Sequence, residues 1–160
     1  MTGRDRIVIL GIGNLLKGDD GVGVRVIEAL TARDDLPAGV ELIDGGTGGP
    51  TLLVHFEDAR ALILIDAVDL SASPGTIRVF GLEDVAPTDH RPAPFSLHDV
   101  DILSMFDLAR RLDRLPPILR IIGIQPERFD LGDRLSAAVA AAVAPAAQAV
   151  LREARRLVKD

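Results

Sequence analysis

Cysteine, tryptophan and tyrosine are absent from the 160 residues. Without thiols there can be no disulfide framework, no thiolate metal site and no cysteine nucleophile. Aromatic residues make up only 3% of the chain, too few for the stacking platforms that hold single-stranded nucleic acid. Positive charge is in deficit, since 18 Lys and Arg face 24 Asp and Glu for a net charge of −6. Phosphate backbones are therefore poor partners. No apolar run approaches the ~20 residues a membrane helix needs, and residues 1–10 show no signal-peptide pattern. The expectation is a cytoplasmic protein that engages neither nucleic acid nor membrane. What is present is enough for a core: 48% hydrophobic and 26% charged residues fit one globular domain spanning 1–160.

Apolar runs alternate with helical patterns, the mark of an α/β layered fold. Strands are expected at Arg6–Ile12, Val40–Ile43, Ala61–Ala67, Thr76–Phe80 and Ile118–Ile124, and helices at Asp20–Arg33, Leu97–Leu112 and from Ser136 onward. The unbroken apolar run at Ala61–Ala67 reads as a central strand covered on both faces. The linker 71–75 is too short for a crossover helix, so the Thr76 strand should run antiparallel to its predecessor. Pro50 opens a short helix. Ser136 is expected to cap the last helix, and Pro145 to kink or split it.

The segment Gly11-Ile-Gly-Asn-Leu-Leu-Lys-Gly-Asp-Asp-Gly-Val-Gly23 joins the first strand to the first helix. Its acidic pair, Asp19 and Asp20, would repel a phosphate but suits a cation or acid–base chemistry. Ligands of open α/β sheets bind beyond the carboxyl ends of the parallel strands. That rule gathers Asp19 and Asp20, the turn Asp44-Gly-Gly-Thr47, the strand end Asp66, and Ser96 with His98 on one rim. Two carboxylates and an imidazole make a donor set for nickel or zinc. The glycines Gly45 and Gly46 would let a peptide backbone approach closely. Asp19 is assigned mainly to the helix start, so Asp19→Asn is expected to be mild. His55 and His90 read as surface residues.

Two rival patterns fit less well. A dinucleotide fingerprint beginning at Gly11 and Gly13 needs glycine at position 16, where Leu16 stands. A phosphoacceptor receiver, a signalling or metal-binding module without hydrolytic activity, needs a lysine ending the last parallel strand. Here that strand ends Gly123-Ile-Gln-Pro126.

The segment 11–23, the Asp44-Gly-Gly-Thr47 turn, Asp66, Ser96-Leu-His98 and Gly123-Ile-Gln-Pro126 together resemble, in order and spacing, the motifs of the nickel–iron hydrogenase maturation endopeptidases. The resemblance implies a three-layer α/β/α sandwich, phosphorylase/hydrolase-like, with a five-stranded mixed sheet containing one antiparallel strand. It implies an aspartic-type endopeptidase that removes the C-terminal extension of a nickel–iron hydrogenase large-subunit precursor after nickel insertion. Asp20, Asp66 and His98 would be the catalytic and metal-binding residues, and Asp44, Gly45, Gly46 and Thr47 would bind substrate. The metal would be nickel carried by the substrate, with zinc or another divalent ion able to take its place. Relatives can carry Glu where this chain has Asp20. A monomer is expected.

Overall fold

The computed structural model describes residues 5–85, 93–97 and 100–160. Its elements in chain order are β1 (Arg6–Gly11), α1 (Val22–Thr31), β2 (Val40–Asp44), β3 (Ala59–Asp69), β4 (Ile77–Phe80), β5 (Ser96–Leu97), α2 (Val100–Arg111), β6 (Ile118–Ile124) and α3 (Ala137–Lys159). Short 3₁₀ turns occupy Gly18–Gly21, Pro50–His55 and Leu82–Asp84. The sheet runs β2-β1-β3-β6-β4. The first four strands are parallel and β4 is antiparallel to β6.

Period-two alternation divides the core into two layers. Ile7, Ile9, Ile63, Ile65 and Ile122 face α1 and α3, while Val8, Leu10, Leu62, Leu64 and Ile121 face α2 and the turn Pro50–His55. Both faces are covered, so the central strands are uninterrupted apolar runs rather than alternating ones. The result is the expected three-layer α/β/α sandwich.

Register explains where the rim lies. Gly11 of β1 pairs with Ile65 of β3, so β3 outruns β1 by the residues Asp66–Asp69. The far end of this overhang meets β5, with Val68 opposite Leu97 and Asp69 opposite Ser96. The chain leaving β1 must then turn tightly into α1. It does so because α1 lies directly against strand backbone: a Cβ at Gly23 would overlap the carbonyl oxygens of Ile12 and Ile65, and one at Gly11 would overlap the Gly23 carbonyl.

Several details differ from the sequence reading. The first helix begins at Val22, not Asp20, because Gly18–Gly21 forms a 3₁₀ turn ahead of it. The Leu97 position belongs to β5, and the helix starts at Val100. The Thr76 strand does run opposite to β3, but its hydrogen-bonded neighbour is β6. Helix α3 runs unsplit through Pro145 for 23 residues. Pro145 and Ala141 are both exposed, so the carbonyl that loses its intrahelical donor can turn to water. Ser136 occupies the N-cap position without capping; its hydroxyl is used elsewhere.

Helix propensity alone would make Gly23→Ala stabilising by about 1 kcal/mol. Forcing a methyl into two backbone carbonyls costs more, about 1–3 kcal/mol. Urea unfolding of Gly23→Ala should therefore show a net loss of stability, and a rise would contradict this packing.

Candidate active site

The loop from β1 to α1 is built by short hydrogen bonds around Asn14. Its side-chain carbonyl accepts from the Leu16 amide at 2.9 Å, and its own amide donates to Asp20 Oδ2 at 2.9 Å. The Lys17 amide donates to the Asn14 carbonyl at 3.1 Å, and the Asp20 amide to the Lys17 carbonyl at 3.2 Å. This wraps residues 14–20 into a closed turn. Gly13 has a φ of +142°, and a Cβ there would run into the Asp20 backbone. Asp20 is 8% exposed.

Asp66 follows the apolar run of β3 and shares a face with Leu64 and Val68, on the α2 side. It is 1% exposed, and its Oδ1 accepts from the Ala67 amide at 2.8 Å. A buried carboxylate is costly to keep. The sequence reading puts Asp66 at the end of its strand, but β3 continues to Asp69, and Asp66 is the first residue of β3 beyond the last pair with β1. The 3₁₀ turn carrying Asp20 packs against β3, so both carboxylates stand on the same carboxyl rim of the sheet.

The turn after β2 joins them. Asp44 Oδ1 accepts from the Gly46 amide at 2.9 Å. The Gly45 amide donates to the Gly11 carbonyl at 2.8 Å, and the Gly13 amide to the Gly46 carbonyl at 2.7 Å. Asp44 and Thr47 are exposed. Gly46 sits at a φ of +52° with open space where a side chain would be, so a ligand can approach its backbone. His98, the third expected ligand, lies outside the described residues, as does His90. Among the described residues no three His, Asp or Glu side chains form a metal-binding group. His55 is half-buried rather than fully on the surface, and its carbonyl accepts from Arg6 at 2.7 Å.

Asp19 does not serve the helix start. It has no exposed surface, and its carboxylate faces the loop between β6 and α3. Oδ2 accepts from the amides of Glu127 (2.8 Å) and Arg128 (3.1 Å) and from the Ser136 hydroxyl (2.8 Å); Oδ1 accepts from the Ser136 amide (2.7 Å). Burial pushes the Asp19 carboxyl up, but these four donors outweigh it and hold it below the ordinary carboxylate value. Sequence reasoning named Gln125 within the motif Gly123-Ile-Gln-Pro126 but missed its role. It follows β6 directly, where a receiver domain needs lysine, and its Oε1 accepts from the amides of Leu70 (2.6 Å) and Ala72 (3.4 Å), fixing the loop that follows β3. A lone polar residue closing an apolar strand was the available signal.

The expected mildness of Asp19→Asn is thus overturned in its premise. An amide would present a donor to donors, and the loss of charged hydrogen bonds should cost about 3 kcal/mol or more at pH 7. A carboxyl depressed in the folded state contributes stability above its unfolded value, 3.8, and loses that contribution as pH falls through the folded value. Urea unfolding should accordingly show the gap between wild type and Asp19→Asn widest at neutral pH and narrowing in acid below pH ~4. A gap independent of pH would contradict an ionised, hydrogen-bonded Asp19.

Comparison with known proteins agrees with this fold. Residues 24–153 match the sequence profile of the hydrogenase maturation proteases. The hydrogenase 2 maturation protease of Escherichia coli is 37% identical over 94% of this chain and 91% of its own length. The hydrogenase expression/formation protein HoxM of Azotobacter vinelandii is 41% identical over 91% of this chain and 70% of its own length. The solved structure of the hydrogenase maturating endopeptidase HybD from E. coli is similar with a TM-score of 0.80 and 32% identity, covering 94% of this chain and 93% of that one. A profile match across most of the chain and a homologous fold over nearly all of it place this protein in the hydrogenase maturation protease family.

Proposed function

We propose that this protein is an endopeptidase that removes the C-terminal extension from the large-subunit precursor of a nickel–iron hydrogenase, after nickel has been inserted. The observation that carries this reading is a pair of buried carboxylates, Asp20 and Asp66, set on one rim by adjoining elements in a chain of this family. Peptide hydrolysis needs an activated water, a polarised carbonyl and a proton for the leaving amine. One carboxylate of the pair takes a proton from water, the resulting hydroxide adds to the scissile carbonyl carbon, and the C–N bond breaks as the amine is protonated. This is aspartic-type chemistry, and the absence of cysteine leaves no thiol route.

Nickel enters as part of the substrate. Oxygen donors from Asp20 and Asp66 with an imidazole from His98 suit a borderline divalent ion, nickel first and zinc in its place. Three protein ligands leave positions for the substrate's own groups, so an unmetallated precursor would lack the bridge that positions its tail. The turn Asp44–Thr47 supplies the backbone against which the tail lies, with the open side of Gly46 facing it. The proposed site of action is the cytoplasm; no helix among the described residues is long and apolar enough to cross a membrane. The protein is expected to act as a monomer.

Purified protein should cut nickel-loaded precursor and leave apo-precursor intact; equal cutting of both would refute recognition through nickel. Asp66→Asn and Asp20→Asn keep side-chain volume and remove charge, so cleavage should fall by about 10²–10⁴-fold while the fold survives. His98→Ala should match them. Full activity in Asp66→Asn, with circular dichroism unchanged, would sink the assignment.

A further inference from the structure

Asp19 cannot touch a substrate, because it has no exposed surface and its carboxylate is engaged by four donors from the β6–α3 connection. Backbone bonds run beside it in both directions. The Asp19 amide donates to the Arg128 carbonyl at 3.0 Å, the Gly18 amide to the Gly132 carbonyl at 3.0 Å, and the Gly132 amide to the Leu16 carbonyl at 2.9 Å. Lys17 and Gly132 pair as a single parallel bridge. The next residue along, Asp20, is held from the other side by the Asn14 amide.

The turn is thus fastened at two points. One is local, within residues 14–20. The other reaches more than a hundred residues down the chain, through these backbone bonds and through the side chain of Asp19, which lies directly beside Asp20 in sequence. Resting on the peptidase reading above, we propose that Asp19 and Ser136 form a clamp that positions Asp20: the β6–α3 connection holds the turn so that the Asp20 carboxylate keeps one place on the rim. Asp19 is a positioning residue here, and Asp20 the group that acts. Hydrogen-bonded loops are tuned through just such supporting contacts, since a site displaced by a fraction of an ångström loses rate rather than affinity.

Asp19→Asn is a poor test, because it removes much of the fold's stability as well. Ser136→Ala is better. The Ser136 side chain makes no N-cap bond to α3, so the variant deletes one Asp19 contact and leaves the other three donors in place. Val150→Ala, fully buried far along α3, serves as a control that loses stability without touching the clamp. Hydrogen exchange of the free protein is read first. Amides of residues 14–21 should exchange about tenfold faster in Ser136→Ala than in wild type, and at the wild-type rate in Val150→Ala. Cleavage of nickel-loaded precursor is read second, at a temperature where all three proteins are folded. Ser136→Ala should lower kcat about five- to tenfold with KM unchanged, and Val150→Ala should leave both unchanged. Faster exchange confined to residues 127–136, or a Ser136→Ala enzyme with wild-type kcat, would overturn the clamp. A wild-type protein that cuts no precursor would defeat the peptidase reading instead, and the exchange result would still decide whether the clamp holds the turn.

Discussion

The first turn of α1 rests against backbone just past the end of β1 and at Ile65 of β3. Gly23 admits the Ile12 and Ile65 carbonyls, and Gly11 admits the Gly23 carbonyl. Helices usually stand off a sheet by the thickness of two side chains. Here the glycines remove that spacing, and the connection from strand to helix is pressed down onto the rim. Everything chemical follows from this closeness. The 3₁₀ turn Gly18–Gly21 packs against β3, the glycine turn after β2 bonds to Gly11 and Gly13, and Asp66 lies just past the residue whose carbonyl Gly23 meets.

Three buried aspartates in so small a rim are expensive to keep ionised, and the structure deals with them differently. Asp19 is saturated by backbone and hydroxyl donors and is withdrawn from chemistry. Asp20 is tied to the loop that it closes. Asp66 takes the amide of the residue beside it. Neighbouring residues of the same type thus have separate duties, set by which donors the fold brings to each. Asp19 thereby adds a polar attachment to the β6–α3 connection, whose Phe129 and Leu135 pack against the core while Leu131 is largely exposed.

The sandwich and the parallel strands were legible because each apolar run has a length and a flank that admit few alternatives: Ala61–Ala67 could hardly be anything but a covered central strand. The same logic located Asp44, which closes β2, and Asp20, in the turn between β1 and α1; it reads Asp66 as a strand end, but β3 continues to Asp69. Asp19 could not be read this way. Its partners are mostly backbone amides, 108 to 117 residues away, and an amide carries no signature in the residue that bears it. Ser136 looked like a cap because capping is local and the contact it makes is not. The two residues of β5 are too few to show periodicity. Pro145 looked like a break because the sequence does not reveal that its face of α3 meets water.

The central claim is that Asp20, Asp66 and His98 stand close enough on one rim to hold a single divalent ion shared with the substrate. Anomalous diffraction from crystals soaked in nickel tests it directly. The account predicts one principal nickel peak, with carboxylate oxygens of Asp20 and Asp66 and an imidazole nitrogen of His98 at distances of about 2.0–2.2 Å. Nickel bound elsewhere, or His98 found on the opposite face of the sheet from Asp66, would contradict it.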